Sequence, residues 1–549
     1  MANTGIREAT HPSAPTITMP SPSRPALLWD LLTHRAAQRA AHTALVDPTG
    51  ELSYRSLVER AEALAGWLTA QGVEHGDRVG LALGPCTLEV VALMAVARLD
   101  AVFVGVFHRW KTAQVLHVLE DSGARVLLVG PKQARDLAQA GLPASLERMV
   151  VMGPAPSHPK ACGWPEDLAP RPLPAPPTAP RALRALLYTS GSTGQPKGVM
   201  ISDEALVTCA HGVVDYLDYS PSERVLAAMP LCFSYGLSQV TSALAAGATA
   251  VLHRASLPAE LLATMARQQV TVLAGVPAFW HLLLTALEDH PAPLPALRLI
   301  TNAGGAPTRR MSRDLPRLLP GVGIVLLYGQ TEMLRGTWLP PERFVEKPGA
   351  MGVPVPDQQL WLVDAAKGLC APGQVGEVVV HGPMVCQGYW GRPDQTAEHL
   401  RPSPWLQDSM GDQPVWHSGD IAERDDDGVL WFRGRQDSLI KTAGFRVSPT
   451  EIEDVATAVA GVQDAVAFGE PHPRLGQAVV LVVSPGPGGT IDPQALRTHF
   501  LRQLPAYMAP SAIHVLAEGM PRISTGKVDR KAVITAHQAP APTPDGSAG

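Results

Sequence analysis

Residues 189–198 read TSGSTGQPKG, hydroxyls and glycines packed together and then a proline and one lysine. Such a run suits an anion: small residues let backbone N–H groups close in on phosphate, and hydroxyls and a lysine add donors. It is not the common nucleotide loop G-x-x-x-x-G-K followed by Ser or Thr. Counted from Gly191, Pro196 stands where the second glycine belongs, and Gly198 follows Lys197 where a hydroxyl belongs. The stretch is either a phosphate loop of another kind or a flexible surface turn, and its surroundings decide which.

Helix and strand signals alternate on both sides of it. Upstream, LWDLLTHRAAQRA (28–40) and YRSLVERAEALAGWLTAQG (54–72) carry apolar residues at helical spacing. RVGLALG (78–84), AVFVGVF (101–107) and ARVLLVG (124–130) are short apolar runs suited to buried strands. Downstream, RVLAAMPL (224–231), ATAVLH (248–253), VTVLAGV (270–276), LRLITNAGG (297–305) and GIVLLYG (323–329) repeat the strand pattern between helical segments such as PAELLATMARQQ (258–269). This alternation predicts an α/β fold, mostly parallel sheets with helices on both faces. From about 350 to 434 short strands and turns predict a small β-rich subdomain, and after 438 a compact α+β piece follows.

The bulk numbers agree with a multidomain globular chain. At 549 residues it exceeds one ordinary core, and 46% hydrophobic with 17% charged residues is globular composition. A formal net charge of -5 argues against a sequence-independent nucleic-acid binder. No apolar run reaches the roughly 18 residues of a membrane span, and the N-terminus lacks the pattern of a secretory signal. Six scattered cysteines without a C-x-x-C pair suggest reduced thiols and a cytoplasmic location. Among the 53 prolines of the chain, three dense stretches stand out, residues 10–25, 153–181 and the C-terminal tail, which read as linkers or disordered tails.

Four companions settle the reading of the loop. YGQTE (328–332) follows a strand and so sits at a carboxyl end, where α/β sheets bind ligands. WHSGD (416–420), GRQDSLIKTAGFRVSPTEIE (434–453) and PRISTGKVDRK (521–531) complete the set. In this order and spacing the five motifs resemble those of the adenylate-forming superfamily: AMP-forming acyl- and aryl-CoA ligases, adenylation domains and luciferases. The resemblance covers roughly residues 26–535.

It implies a division into a Pro-rich N-terminal tail (1–25), a large domain (26–436) with a Pro-rich linker at 153–181, a small mobile C-terminal domain (437–536) and a tail (537–549). It also implies roles. Thr189, Ser190, Gly191, Ser192, Thr193, Gly194 and Lys197 would close over the β- and γ-phosphates of ATP. Thr331 would bond the α-phosphate, and Glu332 would hold Mg²⁺, a hard cation suited to carboxylate and phosphate oxygens. Tyr328, Gly329 and the segment 302–306 with Gly304 and Gly305 would enclose the adenine, and Asp420 and Arg435 would hold the ribose. Lys527 would reach the site and bridge the acid carboxylate and the α-phosphate, where two anions must meet. Asp437 matches the hinge about which the small domain rotates, after which Gly444 would line a tunnel for a pantetheine thiol.

The acid pocket is less determined. PLCFSYGLS (230–238) resembles the family's pocket wall, with Phe233, Ser234 and Tyr235; Phe279, Asn302 and Ala303 would join it. Phe233, Tyr235, Phe279 and Trp280 could give that pocket aromatic walls, though as plain core they need no functional explanation. Where amino-acid-activating relatives carry an aspartate for the substrate ammonium, this chain has Ser234, which argues against an ordinary α-amino acid. Arg335, three residues after Glu332, either faces the pocket or pairs structurally. The thiol acceptor is coenzyme A or the phosphopantetheine of a carrier protein acting in trans. A luciferase-like oxygenase or an adenylation-only enzyme would show the same motifs.

Overall fold

A computed structural model describes residues 24–538 except 166–167, 169–170, 174, 176–177, 191–195, 255–256, 290–292, 437, 439, 443–444, 473–474, 487–488, 505–507 and 524–525. Two sheets organise the larger part. Seven strands run in the order Ala161–Gly163, Arg148–Val151, Val126–Val129, Arg78–Ala82, Val102–Gly105, Leu183–Ser190, Pro196–Ser202. All neighbours in it are parallel except the last two, which form a hairpin. In the nine-stranded sheet, Gly323–Tyr328, Leu299–Asn302, Val272–Gly275, Arg224–Ala227, Thr249–Leu252 and Thr43–Asp47 are parallel neighbours, with antiparallel strands at both edges.

The strands are apolar on both faces because both faces are covered. Val225 and Ala227 join one core cluster while Leu226 between them joins another. The first cluster contains residues of both sheets, joined through the helices Thr87–Arg98 and Ser234–Ala246, whose residues are nearly all buried. Such a helix is covered on every side, and buried polar side chains of the second turn back to its own backbone, Gln239 to the Tyr235 carbonyl and Thr241 to that of Ser238. One charged group ties this interior together: Arg184 is fully buried, its Nε 2.7 Å from Asp203 and a second nitrogen on Asp100. Asp203 also accepts the N–H of Leu28 at 3.0 Å.

The β-rich piece is a six-stranded antiparallel sheet between Gln359 and Arg435. Beyond it, a five-stranded sheet with the helices Pro449–Thr457, Pro493–Gln503 and Arg530–Gln538 forms the α+β part.

The segment 153–181 differs from its expectation as a linker. Ala161–Gly163 adds an edge strand to the seven-stranded sheet, and Trp164, Leu168 and Leu173 pack on the core. Prolines are compatible with an edge, where no ladder donor is needed, and the apolar residues between them supply the attachment. Of the N-terminal tail, residues 1–23 lie outside the described residues. Arg24 is described and forms an ion pair with Asp215 at 2.7 Å. Residues 539–549 likewise lie outside the described residues.

Candidate active site

Three carboxyl ends meet on one edge of the nine-stranded sheet. Val272–Gly275 runs out at Val276, Leu299–Asn302 enters the 303–306 turn, and Gly323–Tyr328 leads through Gly329 to a single helical turn, Thr331–Met333. Parallel register, Gly275 beside Asn302 and Asn302 beside Leu326, brings these loops together. Gly329 is required by space: a Cβ there would stand 2.7 Å from the Leu334 carbonyl oxygen.

Around Asp420 a polar network is closed. Its Oδ2 accepts from the Tyr328 hydroxyl and from Gln330 Nε2, both at 2.7 Å, and Arg435 Nη1 donates to Oδ1 at 3.1 Å. Asp420 is buried on the strand Val415–Arg424, opposite Arg435 in register. Burial, with the Asp420 charge beside it, pushes the Tyr328 phenol well above its ordinary pKa, so it stays a donor. Gln330 also bonds the Ser418 carbonyl at 3.0 Å and accepts from Trp416 at 3.2 Å. Sequence reading passed over Gln330, although it lies inside the quoted motif.

Tyr389 was also missed. Its hydroxyl donates to Glu332 Oε1 at 2.9 Å, and the Lys197 ammonium stands 4.9 Å from its ring centroid. It is held beside the loop hairpin, since Trp390 N–H donates to the Gly198 carbonyl at 2.8 Å. Thr189 pairs with Lys197 across that hairpin. Gly191, Ser192, Thr193 and Gly194 lie outside the described residues, as does the side chain of Ser190. The other Glu332 oxygen has no hydrogen-bond partner among the described residues. One carboxylate with an open oxygen, linked through Tyr389 to the side of Lys197, fits Mg²⁺, which takes one or two carboxylates plus substrate phosphates. No group of three His, Cys, Asp or Glu residues suited to a metal occurs among the described residues.

Lys527 comes from the other domain. Arg522 and Val528 bridge, and Ile523 N–H donates to the Lys527 carbonyl at 2.9 Å, forming a short hairpin. Gly526 turns it at φ +83°, a left-handed conformation that favours glycine. The ammonium stands 3.4 Å from where a Cβ on Gly304 would be. Lys527 keeps water access, yet protein surrounds its head on most sides, and this desolvation lowers its pKa below that of an ordinary lysine. Asp437 and Gly444 lie outside the described residues.

Phe233, Ser234 and Tyr235 open the helix Ser234–Ala246 and are partly exposed, as is Phe279. The Phe233 ring lies 5.5 Å from that of Phe107. Tyr235 donates to the Thr301 carbonyl at 2.8 Å. Asn302, expected at the pocket wall, turns inward, and Trp280 takes the core reading left open for it. Trp280 is fully buried, and its Nε1 donates to Asn302 Oδ1 at 3.1 Å. Asn302 in turn donates to the Gly305 carbonyl at 2.9 Å. Asn302 therefore braces the 302–306 turn from behind, because its amide must satisfy buried partners there. Ala303 is also buried, while Gly304 and Gly305 are exposed.

Residues 32–390 match the family model described as AMP-binding enzyme, and residues 451–527 match the AMP-binding enzyme C-terminal domain. A feruloyl-CoA synthase from an Amycolatopsis species is 34% identical over 90% of this chain and 96% of its own length. An indoleacetate–CoA ligase of Aromatoleum aromaticum is 30% identical over 91% and 96%. Among solved structures, an anthranilate CoA ligase holding anthranoyl-AMP superposes with a TM-score of 0.80 at 24% identity, over 93% of this chain and 97% of that one.

Proposed function

The chain belongs to the adenylate-forming family of AMP-binding enzymes and is an AMP-forming acid–thiol ligase, and from that premise we propose that it converts a carboxylic acid other than an α-amino acid into its coenzyme A thioester. In the first half-reaction a carboxylate oxygen attacks the α-phosphorus of ATP, the α–β P–O bond breaks, and pyrophosphate leaves. In the second, a thiol sulfur attacks the acyl carbon, the acyl–phosphate C–O bond breaks, AMP leaves, and the thiol proton passes to solvent.

The observation that carries this reading is the Lys527 ammonium standing against Gly304, at the edge where Thr331 and Glu332 also lie. A cation there offsets the repulsion between two anions and stabilises the charge developing between them. Lys197, with Thr189 beside it, is the donor set for the outer phosphates. Mg²⁺, when bound at Glu332, supplies charge neutralisation on those phosphates. Asp420 and Arg435 form the ribose contact, with Tyr328 and Gln330 fixing the carboxylate. The CoA ligases among the relatives support coenzyme A as acceptor. A carrier-protein phosphopantetheine in trans would present the same arm.

The test is acid-dependent pyrophosphate release with ATP and Mg²⁺ in wild type and Lys527→Ala. Loss of one transition-state donor lowers the rate by about 10²–10³-fold, while thioester formation from a supplied acyl-adenylate should persist. Equal loss of both half-reactions would remove Lys527 from the adenylation step.

A further inference from the structure

Three residues past Glu332 the backbone does something costly. Leu334 sits at φ +50°, ψ −62°, and Arg335 N–H donates back to the Met333 carbonyl at 2.5 Å. This is a three-residue turn of the strained hand, rare for a non-glycine residue and typical of places where a fold forces one side chain into position. Gly336 N–H then returns to the Tyr328 carbonyl at 2.9 Å. The side chain so aimed is Arg335, only 5% exposed.

What surrounds Arg335 is unusual for a buried cation. Its guanidinium lies 5.0 Å from the centroid of the Tyr235 ring, and Nη2 donates to Ser238 Oγ at 2.8 Å. The titratable groups nearest it are Tyr216, Cys209 and Tyr235, all neutral at ordinary pH, with no carboxylate in ion-pair range among the described residues. Its Nε has no acceptor, and Gln239 Oε1 on the Ser238 turn of the same helix also lacks a partner, while the buried Tyr216 hydroxyl beside it is a neutral neighbour. Arg184, buried as deeply, lies between two carboxylates. A buried charge without a partner costs several kcal/mol, and a desolvated cation–π contact returns about 2 kcal/mol of it.

Tyr235 connects this cation to the acid site. It opens the helix whose first residues are partly exposed, and its hydroxyl bonds Thr301, on the strand that leads to Gly304, beside which the Lys527 ammonium stands. One end of this run therefore carries the Lys527 ammonium and the other the Arg335 guanidinium. We propose that the acid activated here bears a second carboxylate at its far end, and that Arg335 is the residue that selects it. The open Nε–H and the remaining Nη hydrogens form a fork suited to a carboxylate, and the Tyr216 hydroxyl is a further donor. An α-amino acid is disfavoured twice, by Ser234 in place of an acidic residue and by a fixed positive charge in the pocket.

This inference rests on the adenylation reading, and the experiment separates the two. Pyrophosphate release and calorimetric binding are measured for terephthalate and adipate against their monomethyl esters, in wild type, Arg335→Met and Arg335→Lys. Wild type should prefer each diacid over its half-ester by about 10²-fold or more in kcat/KM. Arg335→Met should erase the preference by lowering the diacid value, and Arg335→Lys should keep part of it. A merely structural arginine would lower diacid and half-ester equally and leave their ratio unchanged, which would overturn the proposal. So would wild-type turnover of a neutral-tailed aryl acid such as ferulate at or above the diacid rate, with adenylation itself intact. Diacid binding that depends on Arg335 without pyrophosphate release would sustain Arg335 as the residue that selects the second carboxylate and remove the adenylation reading. Neither binding nor turnover of any diacid would overturn it.

Discussion

Tyr389 shows how one side chain can organise two others. Its hydroxyl fixes Glu332 while its ring receives the Lys197 ammonium, so the metal carboxylate and the loop lysine are held relative to each other. The phenol stays protonated, because burial and the Glu332 charge raise its pKa. Tyr389→Phe keeps the ring and removes one hydrogen bond to a charged group, worth about 1.5–3 kcal/mol. The expected result is a roughly tenfold or greater fall in the rate of pyrophosphate release, with more Mg²⁺ needed for half-maximal rate. An unchanged Mg²⁺ dependence would assign Tyr389 to packing alone. Lys527→Ala belongs to the same scale, as a loss specific to one half-reaction.

Among the elements, the helix Thr87–Arg98 carries a charge where its apolar surroundings do not welcome one. Glu89 accepts the Gly84 N–H at 3.1 Å, while its Oε2 is buried without a partner. Desolvation pushes the carboxyl up to about 7 from 4.5, against smaller opposing contributions from the Gly84 hydrogen bond and the Arg254 charge. Cys86 and Cys232 stand near it as neutral thiols, both raised by burial. The folded state thus holds this proton more tightly than the unfolded state. The stabilisation is complete below about pH 4.5 and is lost as pH rises through about 7. Urea midpoints from pH 5 to 8 should show wild type losing stability relative to Glu89→Gln over that window. Parallel profiles would mean that Glu89 titrates normally in the fold.

For the whole molecule, the decisive relation is between the C-terminal hairpin and the large domain. A Cβ added to Gly526 would stand 3.3 Å from the Ala278 Cβ, close to the Cβ separation of about 3.8 Å in a disulfide. The pair Ala278→Cys and Gly526→Cys should therefore cross-link, at a cost of about 1–2 kcal/mol for a non-glycine residue in the left-handed region. We expect the oxidised enzyme to release pyrophosphate in a single burst and to form no thioester, with reductant restoring turnover. Thioester turnover by the fully oxidised protein would exclude a domain rotation between the two half-reactions.

The sequence by itself determined the α/β alternation, the position of the loop, and the carboxyl-end placement of Thr331 and Glu332, because strand periodicity, glycine and hydroxyl content are local properties. The family resemblance pointed to the Gly526–Lys527 turn, and the left-handed φ of Gly526 gives the physical reason for its glycine. Tertiary structure alone decided the rest. Tyr389 meets Glu332 across 57 residues of chain. The segment 153–181 is composed like a linker, yet it is attached through Trp164, Leu168, Leu173 and an edge strand. Asn302 and Trp280 resemble pocket residues in sequence but satisfy each other's buried polar atoms behind the turn. Arg335 is the sharpest case. A sequence shows that an arginine is present, but whether a carboxylate stands near it depends on which distant segments fold around it, and here tyrosines, a cysteine and a serine do.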